Sequence, residues 1–459
     1  MIASYVFYGW WDWRFLPLIA ISSFSDFFIG DKISNLNVQK KTAPDDALAM
    51  LDRKRKRWLI ISIVINLGVL GFFKYFNFFV DSFVDLLSTL GFSASPITLN
   101  IILPVGISFY TFQTMSYTID IYRKQELSSK NWVQFFAFVS FFPQLMAGPI
   151  ERAKNLLPQF ETLKKPDYQT FRSAMLLIAW GFFKKIMIAD RLAVYVDTSF
   201  GNIPGASGFP IMLGIMFFSF QVYCDFSGYS NIAIGTARLF GFELRKNFNR
   251  PYLGTSFANF WRRWHISLTS WLTDYVFTPT VIRFRDLGKW GVSFAVLITF
   301  ALSGLWHGAG WTFVMWGVIN GLCIVLFDPL LSLSKSKNAV SHTLKSLFVW
   351  GGYTFSLIFF RAENFDAVMN CFRYMDFSNF GAIINYGLNV AELKFSILLI
   401  VVVLVKEIIW EKDDTVVQRW FYKLPAIVRW IFYSIFVLSM VYFGQYGNGT
   451  EHSFIYFQF

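Results

Sequence analysis

Charged side chains are scarce in this sequence. Asp, Glu, Lys and Arg make up 15% of the 459 residues, whereas hydrophobic residues make up 55% and the mean hydropathy is +0.46. A soluble domain of this size needs a larger charged fraction to cover its surface. Apolar runs of roughly 17 to 25 residues recur along the chain and match the thickness of a bilayer. The sequence therefore predicts an all-α polytopic membrane protein and excludes a large soluble core.

Cysteine and histidine are also rare, with three and four residues. Cys224, Cys323 and Cys371 are far apart in the chain and lack the spacing of metal ligands. No dense group of His, Cys and carboxylate residues is present to hold an ion. We therefore expect no metal site and no permanently bound cofactor.

The net charge of +12 raises the question of nucleic-acid binding. The Lys and Arg residues cluster between hydrophobic runs, as expected of cytoplasmic loops that meet anionic lipid headgroups. No zinc-finger or RNA-binding pattern accompanies them. The sequence thus predicts membrane lipid as a partner and excludes nucleic acid.

Run length predicts about ten to twelve membrane helices, and some segments are short enough to be re-entrant. One integral membrane domain is expected over residues 1–459. The N-terminus lacks a basic region and a small-residue cleavage site, which predicts a retained membrane segment. The candidate segments are 14–30, 58–80, 101–121, 132–147, 171–190, 209–224, 226–242, 291–306, 311–327, 344–360, 395–410 and 426–443.

The distribution of basic residues predicts the orientation. The first loop contains the run Arg53-Lys54-Arg55-Lys56-Arg57, and residues 243–290 contain eight Lys and Arg against three acidic residues. Both stretches are expected in the cytoplasm. If the later segments alternate, residues 444–459 form an extracytoplasmic C-terminal tail.

His307 is the first candidate for chemistry. It lies in the sequence Ser303-Gly304-Leu305-Trp306-His307-Gly308-Ala309-Gly310, between two membrane runs. A titratable ring at membrane depth is costly and suggests a functional site. The glycines allow close approach of the backbone or a substrate. The alternative is a histidine that only hydrogen-bonds a neighbouring helix.

His265 follows a stretch of alternating Trp and Arg that contains Arg262, Arg263 and Trp264. One interpretation is an amphipathic helix at the membrane interface. The other is that these residues bind the phosphates of an anionic donor such as coenzyme A or phosphopantetheine.

Asp225 and Gln113 are further polar residues inside predicted membrane segments. Such groups usually hydrogen-bond neighbouring helices, and this structural reading is favoured for both. Contacts with the donor or with a central tunnel are the alternative.

These residues lie in motifs that resemble the membrane-bound O-acyltransferase (MBOAT) family, in its bacterial branch that acylates cell-envelope polymers such as alginate and peptidoglycan. The resemblance covers nearly the whole chain. It rests on six motifs, Pro104-Val105-Gly106-Ile107-Ser108-Phe109-Tyr110-Thr111-Phe112-Gln113, Gly148-Pro149-Ile150-Glu151-Arg152, Tyr223-Cys224-Asp225-Phe226-Ser227-Gly228-Tyr229-Ser230, Asn247-Phe248-Asn249-Arg250-Pro251-Tyr252, Trp261-Arg262-Arg263-Trp264-His265-Ile266-Ser267-Leu268 and Gly304-Leu305-Trp306-His307-Gly308-Ala309.

The resemblance implies that His307 is the catalytic histidine and that His265 occupies a second active-site position, which is Asn or His in the family. It also implies helices around a central tunnel, with the donor entering from the cytoplasm and the acceptor from outside. Family members begin with another hydrophobic segment before the stretch that matches residues 3–10, so a late start is expected here.

The function expected from this resemblance is transfer of an acetyl group from a cytoplasmic thioester to an extracytoplasmic polysaccharide. The protein would lie in the inner membrane. The donor would be acetyl-CoA or the phosphopantetheine thioester of an acyl carrier protein. His307 would act as the general base, because imidazole titrates near neutrality. An SGNH-type acetyltransferase outside the cell membrane is the implied partner.

The tail ends in aromatic residues, and two interpretations remain open. The rings pack into the bundle or sit at headgroup depth, or Tyr456 lies near His307 and carries the acetyl group as an ester during transfer. The second idea comes from tail tyrosines of envelope acylation systems, which this tail resembles.

Other functions remain as alternatives. D-alanyl transfer to teichoic acid and acyl transfer to a lipid belong to the same enzyme class. A polytopic transporter or flippase would also place polar groups in the membrane. Transporters often have paired halves with corresponding broken helices, and the sequence has no such pairing.

Overall fold

A computed structural model describes most of the chain. The described residues are 1–93, 95–96, 98–125, 128–162, 164–203, 208–334, 336, 338–378, 380–384, 386–412, 416–446 and 454–455. Every regular element within these ranges is helical, as predicted.

The first half of the chain forms long helices joined by short ones. They are α1 (Ile2–Asp12), α2 (Leu16–Thr42), α3 (Asp45–Leu70), α4 (Phe76–Thr89), α5 (Ile107–Tyr122), α6 (Trp132–Val139), α7 (Phe142–Leu145), α8 (Ala153–Glu161), α9 (Tyr168–Phe182), α10 (Asp190–Gly201) and α11 (Gly208–Leu239). The π-helical turns Gly71–Tyr75 and Phe183–Ala189 continue α3 and α9.

The second half contains the candidate site. Its helices are α12 (Phe257–Trp261), α13 (Ile266–Leu272), α14 (Thr278–Arg283), α15 (Lys289–His307), α16 (Trp311–Leu333), α17 (Ala339–Arg361), α18 (Phe365–Arg373), α19 (Val390–Lys412), α20 (Val416–Tyr422) and α21 (Ala426–Phe443).

Five helices in the described part of the chain are long and apolar enough to cross a membrane: Asp45–Thr89, Gly208–Leu239, Lys289–His307, Trp311–Leu333 and Ala426–Phe443. A protein with several such helices passes through the membrane more than once. The total of ten to twelve membrane helices stays a prediction.

One predicted boundary is wrong. The segments 209–224 and 226–242 are a single helix, α11, of 32 residues. The polar residues between them suggested a break, but the side chains of Lys184 and Lys185 bind Ser227 and Asp225 and so satisfy this part of the helix.

Of the two interpretations for the stretch around Arg262, a continuous amphipathic helix is wrong. Two short helices, α12 and α13, flank this stretch. Trp261 and Trp264 are buried, and their rings pack against Tyr353 at centroid distances of 6.1 and 5.1 Å. These two Trp side chains therefore pack against α17 inside the second unit.

The chain divides into two compact units. The first contains residues 1–172 and 236–245, and the second contains residues 173–235 and 246–459. A single domain over the whole chain stays a prediction. The first unit has a buried polar network in which the carboxylate of Asp26 accepts hydrogen bonds from Ser62 (2.6 Å) and Asn66 (2.7 Å).

Candidate active site

His307 is placed by the close packing of α15 against α16. It is the last residue of α15, and α16 begins four residues later. Gly304 and Gly317 let the two backbones touch: a Cβ at Gly304 would overlap the carbonyl oxygen of Phe313, and one at Gly317 would overlap that of Phe300. Close packing of this kind is the usual role of small residues between membrane helices.

Aromatic rings surround His307. Its imidazole is 6% exposed and lies edge to face with Trp316 and Phe360, at centroid distances of 5.1 and 5.5 Å. Gly308 follows directly, and a Cβ there would overlap the ring of Phe313. An imidazole can accept a proton when it is in its neutral form.

His265 has an unusual backbone conformation. Its φ is 41° and its ψ is 54°, in the left-handed region, where a residue other than glycine is uncommon. The ring is 1% exposed and packs edge to face on Phe226 at 4.6 Å. Strained backbone of this kind clusters at functional sites.

Asn247 holds the residues that follow His265. Its backbone oxygen accepts the N–H of Ile266 (2.9 Å), and its side-chain oxygen accepts the N–H of Ser267 (3.3 Å). The amide nitrogen of Asn247 in turn donates to Ser230 of α11 (3.2 Å). The sequence motif Asn247–Tyr252 therefore supports the turn that carries His265, a role that the sequence alone did not reveal.

The two histidines lie next to each other. Their ring centroids are 6.4 Å apart, although the residues are 42 positions apart in the sequence. This separation suits a small polar group, such as a hydroxyl or carbonyl, hydrogen-bonded between the rings. The arrangement can remove a proton from a hydroxyl group and orient a second group beside it.

The three residues before His265 differ in their surroundings. Arg262 is exposed. The guanidinium of Arg263 forms two hydrogen bonds with Glu411 (2.9 and 3.1 Å), so a donor phosphate would have to compete with this carboxylate. Trp264 is 2% exposed and lies within the aromatic core. Binding of the donor by these residues stays a prediction.

Asp225 belongs to a buried group of charges. One carboxylate oxygen lies 2.6 Å from the Nζ of Lys185, which also lies 2.8 Å from Asp190. The neighbouring Lys184 donates to Ser227 (2.8 Å). Sequence reasoning missed both lysines, although two adjacent cations inside the predicted segment 171–190 are a signal of function.

Gln113 lies in the first unit, whereas both histidines lie in the second. Its buried side chain donates to the backbone oxygen of Phe138 (2.8 Å). This bond agrees with the structural role that was favoured for Gln113. Contact with a donor stays a prediction.

The Gly148–Arg152 motif also has a structural place in the first unit. The buried Glu151 carboxylate accepts the backbone N–H of Arg245 (2.6 Å). This hydrogen bond holds the segment that follows α11. Burial raises the pKa of Glu151, and this hydrogen bond together with the charge of Arg245 opposes the rise.

The end of the tail is partly described. Tyr456 lies outside the described residues, so the structure does not test its relay role. Phe454 packs edge to face on Tyr229 at 4.7 Å, and the backbone N–H of Ile455 donates to Asp225 (2.8 Å). At these two positions the tail packs into the second unit, as one of the two interpretations predicted.

Among the residues that the structure describes, no group of three His, Cys, Asp or Glu side chains could hold a metal ion. The three cysteines are buried and form no disulfide bonds.

The chain is similar to proteins that acylate bacterial envelope polymers. It is 37% identical to a probable alginate O-acetylase of Azotobacter vinelandii over 82% of this chain and 71% of the relative. It is 32% identical to a peptidoglycan O-acetyltransferase of Helicobacter pylori over 82% and 72% of the two chains. A teichoic acid D-alanyltransferase of Streptococcus thermophilus is 27% identical over 57% and 66%.

The model of the membrane-bound O-acyltransferase family matches residues 8–365. That range contains both histidines and the hairpin of α15 and α16. The match and the relatives confirm the predicted enzyme class, and they do not support the transporter alternative. The chain belongs to the membrane-bound O-acyltransferase family and is a multi-pass membrane acyltransferase.

Proposed function

We propose that this chain acetylates a polysaccharide of the cell envelope and that the His265–His307 pair is its reaction centre. The observation that carries the proposal is the approach of the two ring centroids to 6.4 Å among aromatic side chains. Acyl transfer between a thioester and a hydroxyl requires one base beside the attacking oxygen, and a neutral imidazole supplies it.

His307 is assigned the role of general base. Its ring accepts the proton of the acceptor hydroxyl as the oxygen attacks the thioester carbonyl carbon. A tetrahedral intermediate forms, the C–S bond breaks, and the departing thiolate takes the proton from the imidazolium. His265 hydrogen-bonds the donor or orients the acceptor, since its ring lies next to that of His307.

The donor is proposed to be a cytoplasmic thioester, either acetyl-CoA or an acyl carrier protein with a phosphopantetheine arm. Arg262 supports this assignment, because its exposed guanidinium can bind a phosphate. The basic excess of residues 243–290 supports a cytoplasmic position for this entrance and an inner-membrane location.

The acceptor is proposed to be an alginate-like or peptidoglycan-like polymer, with an extracytoplasmic SGNH-type acetyltransferase as the partner that completes the transfer. Relatives that match 82% of this chain are named as a probable alginate O-acetylase and a peptidoglycan O-acetyltransferase. D-alanyl transfer is less supported, because that relative matches 57% of this chain. None of the relatives reported above is named for a lipid acceptor.

The polymer that loses its acetyl esters identifies the acceptor. Cells without this chain are expected to have unacetylated alginate-like or peptidoglycan polymer, with acetylation restored by the wild-type chain. Base-labile acetate is measured on each purified polymer. If both polymers keep their acetate while teichoic acid loses D-alanine, the proposal is wrong.

Tyr456 is proposed to carry the acetyl group between the histidine pair and the partner. A phenol is a poor nucleophile at its normal pKa and requires a neighbouring base. We expect Tyr456→Phe to abolish polymer acetylation while the chain remains at wild-type abundance, because the change removes only the phenol oxygen.

Base-labile acetate on the polymer is the readout for Tyr456→Phe. Tyr446→Phe is the matched control, because its hydroxyl donates to the backbone oxygen of Met440 (2.9 Å). Normal acetylation with Tyr456→Phe would show that the tail has a packing role only.

A further inference from the structure

Residues 454–455, near the C-terminus, contact a buried ion pair. Tails are usually frayed, yet here the N–H of Ile455 donates to the Oδ2 of Asp225 (2.8 Å), across 230 residues of sequence. Ile455 is 5% exposed and belongs to the hydrophobic core of the second unit. Hydrogen bonds from a backbone N–H to a carboxylate are among the stronger ones in proteins.

Lys185 completes the attachment from the other side. Its Nζ lies 2.6 Å from the Oδ1 of Asp225 and 4.6 Å from the centre of the Phe454 ring. One lysine therefore contacts both the carboxylate that binds the tail and the aromatic residue of the tail. A cation over an aromatic face in a desolvated site is a favourable contact.

Burial of these charges needs an explanation beyond stability. Lys185 is 7% exposed and Asp225 is 3% exposed. A buried ion pair is often no more stabilising than apolar residues of the same size, because desolvation opposes the attraction. Intramembrane charges usually serve function, and here they hold a defined segment in place.

The attachment lies beside the supports of His265. Phe226, the residue after Asp225, carries the ring on which His265 packs at 4.6 Å. Ser230, on the next turn of α11, binds Asn247, which in turn holds Ile266 and Ser267. This part of α11 thus contacts both residues 454–455 of the tail and the turn that carries His265.

We propose that Asp225 is a positioning residue that, with Lys185, holds the C-terminal tail against α11 beside the His265 turn, and that this placement is required for acyl transfer. The inference rests on the proposed function for its catalytic consequence. It assigns Asp225 to the tail in place of the donor.

A cysteine at position 455 tests the attachment directly. Ile455→Cys retains the backbone N–H that binds Asp225. With Cys224 and Cys323 replaced by Ala, Cys371 remains as an internal reporter, because it is 0% exposed and lies in α18. A membrane-impermeant maleimide is applied to permeabilised membranes, and labelling of the two cysteines is measured separately by peptide mass spectrometry.

Asp225→Ala is expected to raise the labelling rate at position 455 by roughly tenfold or more, the effect of losing a hydrogen bond to a charged group. Labelling of Cys371 should not change. Asp225→Asn, which keeps an acceptor oxygen, should raise labelling less. Asp190→Asn is the matched control and should leave position 455 protected, since the described partner of Asp190 is Lys185, whereas Asp225 accepts the N–H of Ile455.

Polymer acetylation is measured in the same strains with Ile455 intact. Asp225→Ala should lower it by roughly tenfold at wild-type abundance, and Asp190→Asn should not.

Unchanged labelling at position 455 in Asp225→Ala would overturn the attachment, and so would an equal rise in the labelling of Cys371. Increased labelling with normal acetylation would overturn the positioning role. If the wild-type strain forms no acetyl ester, the proposed function fails, while the labelling still reports on the attachment.

Discussion

His307→Ala is expected to reduce polymer acetylation by at least about a hundredfold, the usual contribution of a general base. The variant removes the imidazole that accepts the hydroxyl proton and leaves α15 intact, because alanine is a good helix former. Base-labile acetate on the purified polymer is measured in cells that contain the variant at wild-type abundance.

His342→Ala is the matched control for this change. His342 lies in α17 and is exposed, so its loss should not alter acetylation. Acetylation that survives His307→Ala at the wild-type level would exclude His307 as the base. Equal losses in both variants would point to a general effect on the membrane protein.

Gly304→Ala is expected to destabilise the protein by about 1–3 kcal/mol, as overpacking typically does. The new Cβ would overlap the carbonyl oxygen of Phe313, and backbone atoms cannot rotate away as a side chain can. The hairpin of α15 and α16 must separate, which moves His307 and reduces acetylation as well. The thermal unfolding midpoint of the purified protein, followed by tryptophan fluorescence, measures the loss.

Gly351→Ala provides the comparison for Gly304→Ala. Gly351 lies in α17, and no heavy atom outside its own helix lies within 4 Å of the Cβ position. An alanine there should keep or raise stability, by up to about 1 kcal/mol, since glycine is unfavourable inside a helix. Equal midpoints for the two variants would contradict the importance of the α15–α16 contact.

The fold class followed from the sequence because apolar run length depends on bilayer thickness alone. The segment 426–443 coincides with α21, and 291–306 lies within α15. The break predicted in α11 failed for a different reason. Whether a polar stretch interrupts a membrane helix depends on partners elsewhere in the chain, and the partners of Asp225 and Ser227 are lysines of the preceding helical segment.

The candidate site was found in part. Glycines beside an intramembrane histidine pointed to His307, and the family resemblance pointed to His265. The backbone conformation of His265 could not be foreseen. It is left-handed, and the two residues that follow it donate hydrogen bonds to Asn247, which no local sequence pattern specifies. The pairing of Asp225 with Ile455 spans 230 positions and depends equally on tertiary structure.

The most direct test of the account is acetyl transfer in inside-out membrane vesicles of a strain that makes the acceptor polymer. Acetyl-CoA or an acetylated carrier protein, radiolabelled in the acetyl group, is supplied at the cytoplasmic face, and base-labile label is recovered from the polymer. Vesicles with the wild-type chain should transfer label, and vesicles with His307→Ala should remain at the level of vesicles without the chain. Equal transfer by wild type and His307→Ala would contradict a reaction centre at the His265–His307 pair.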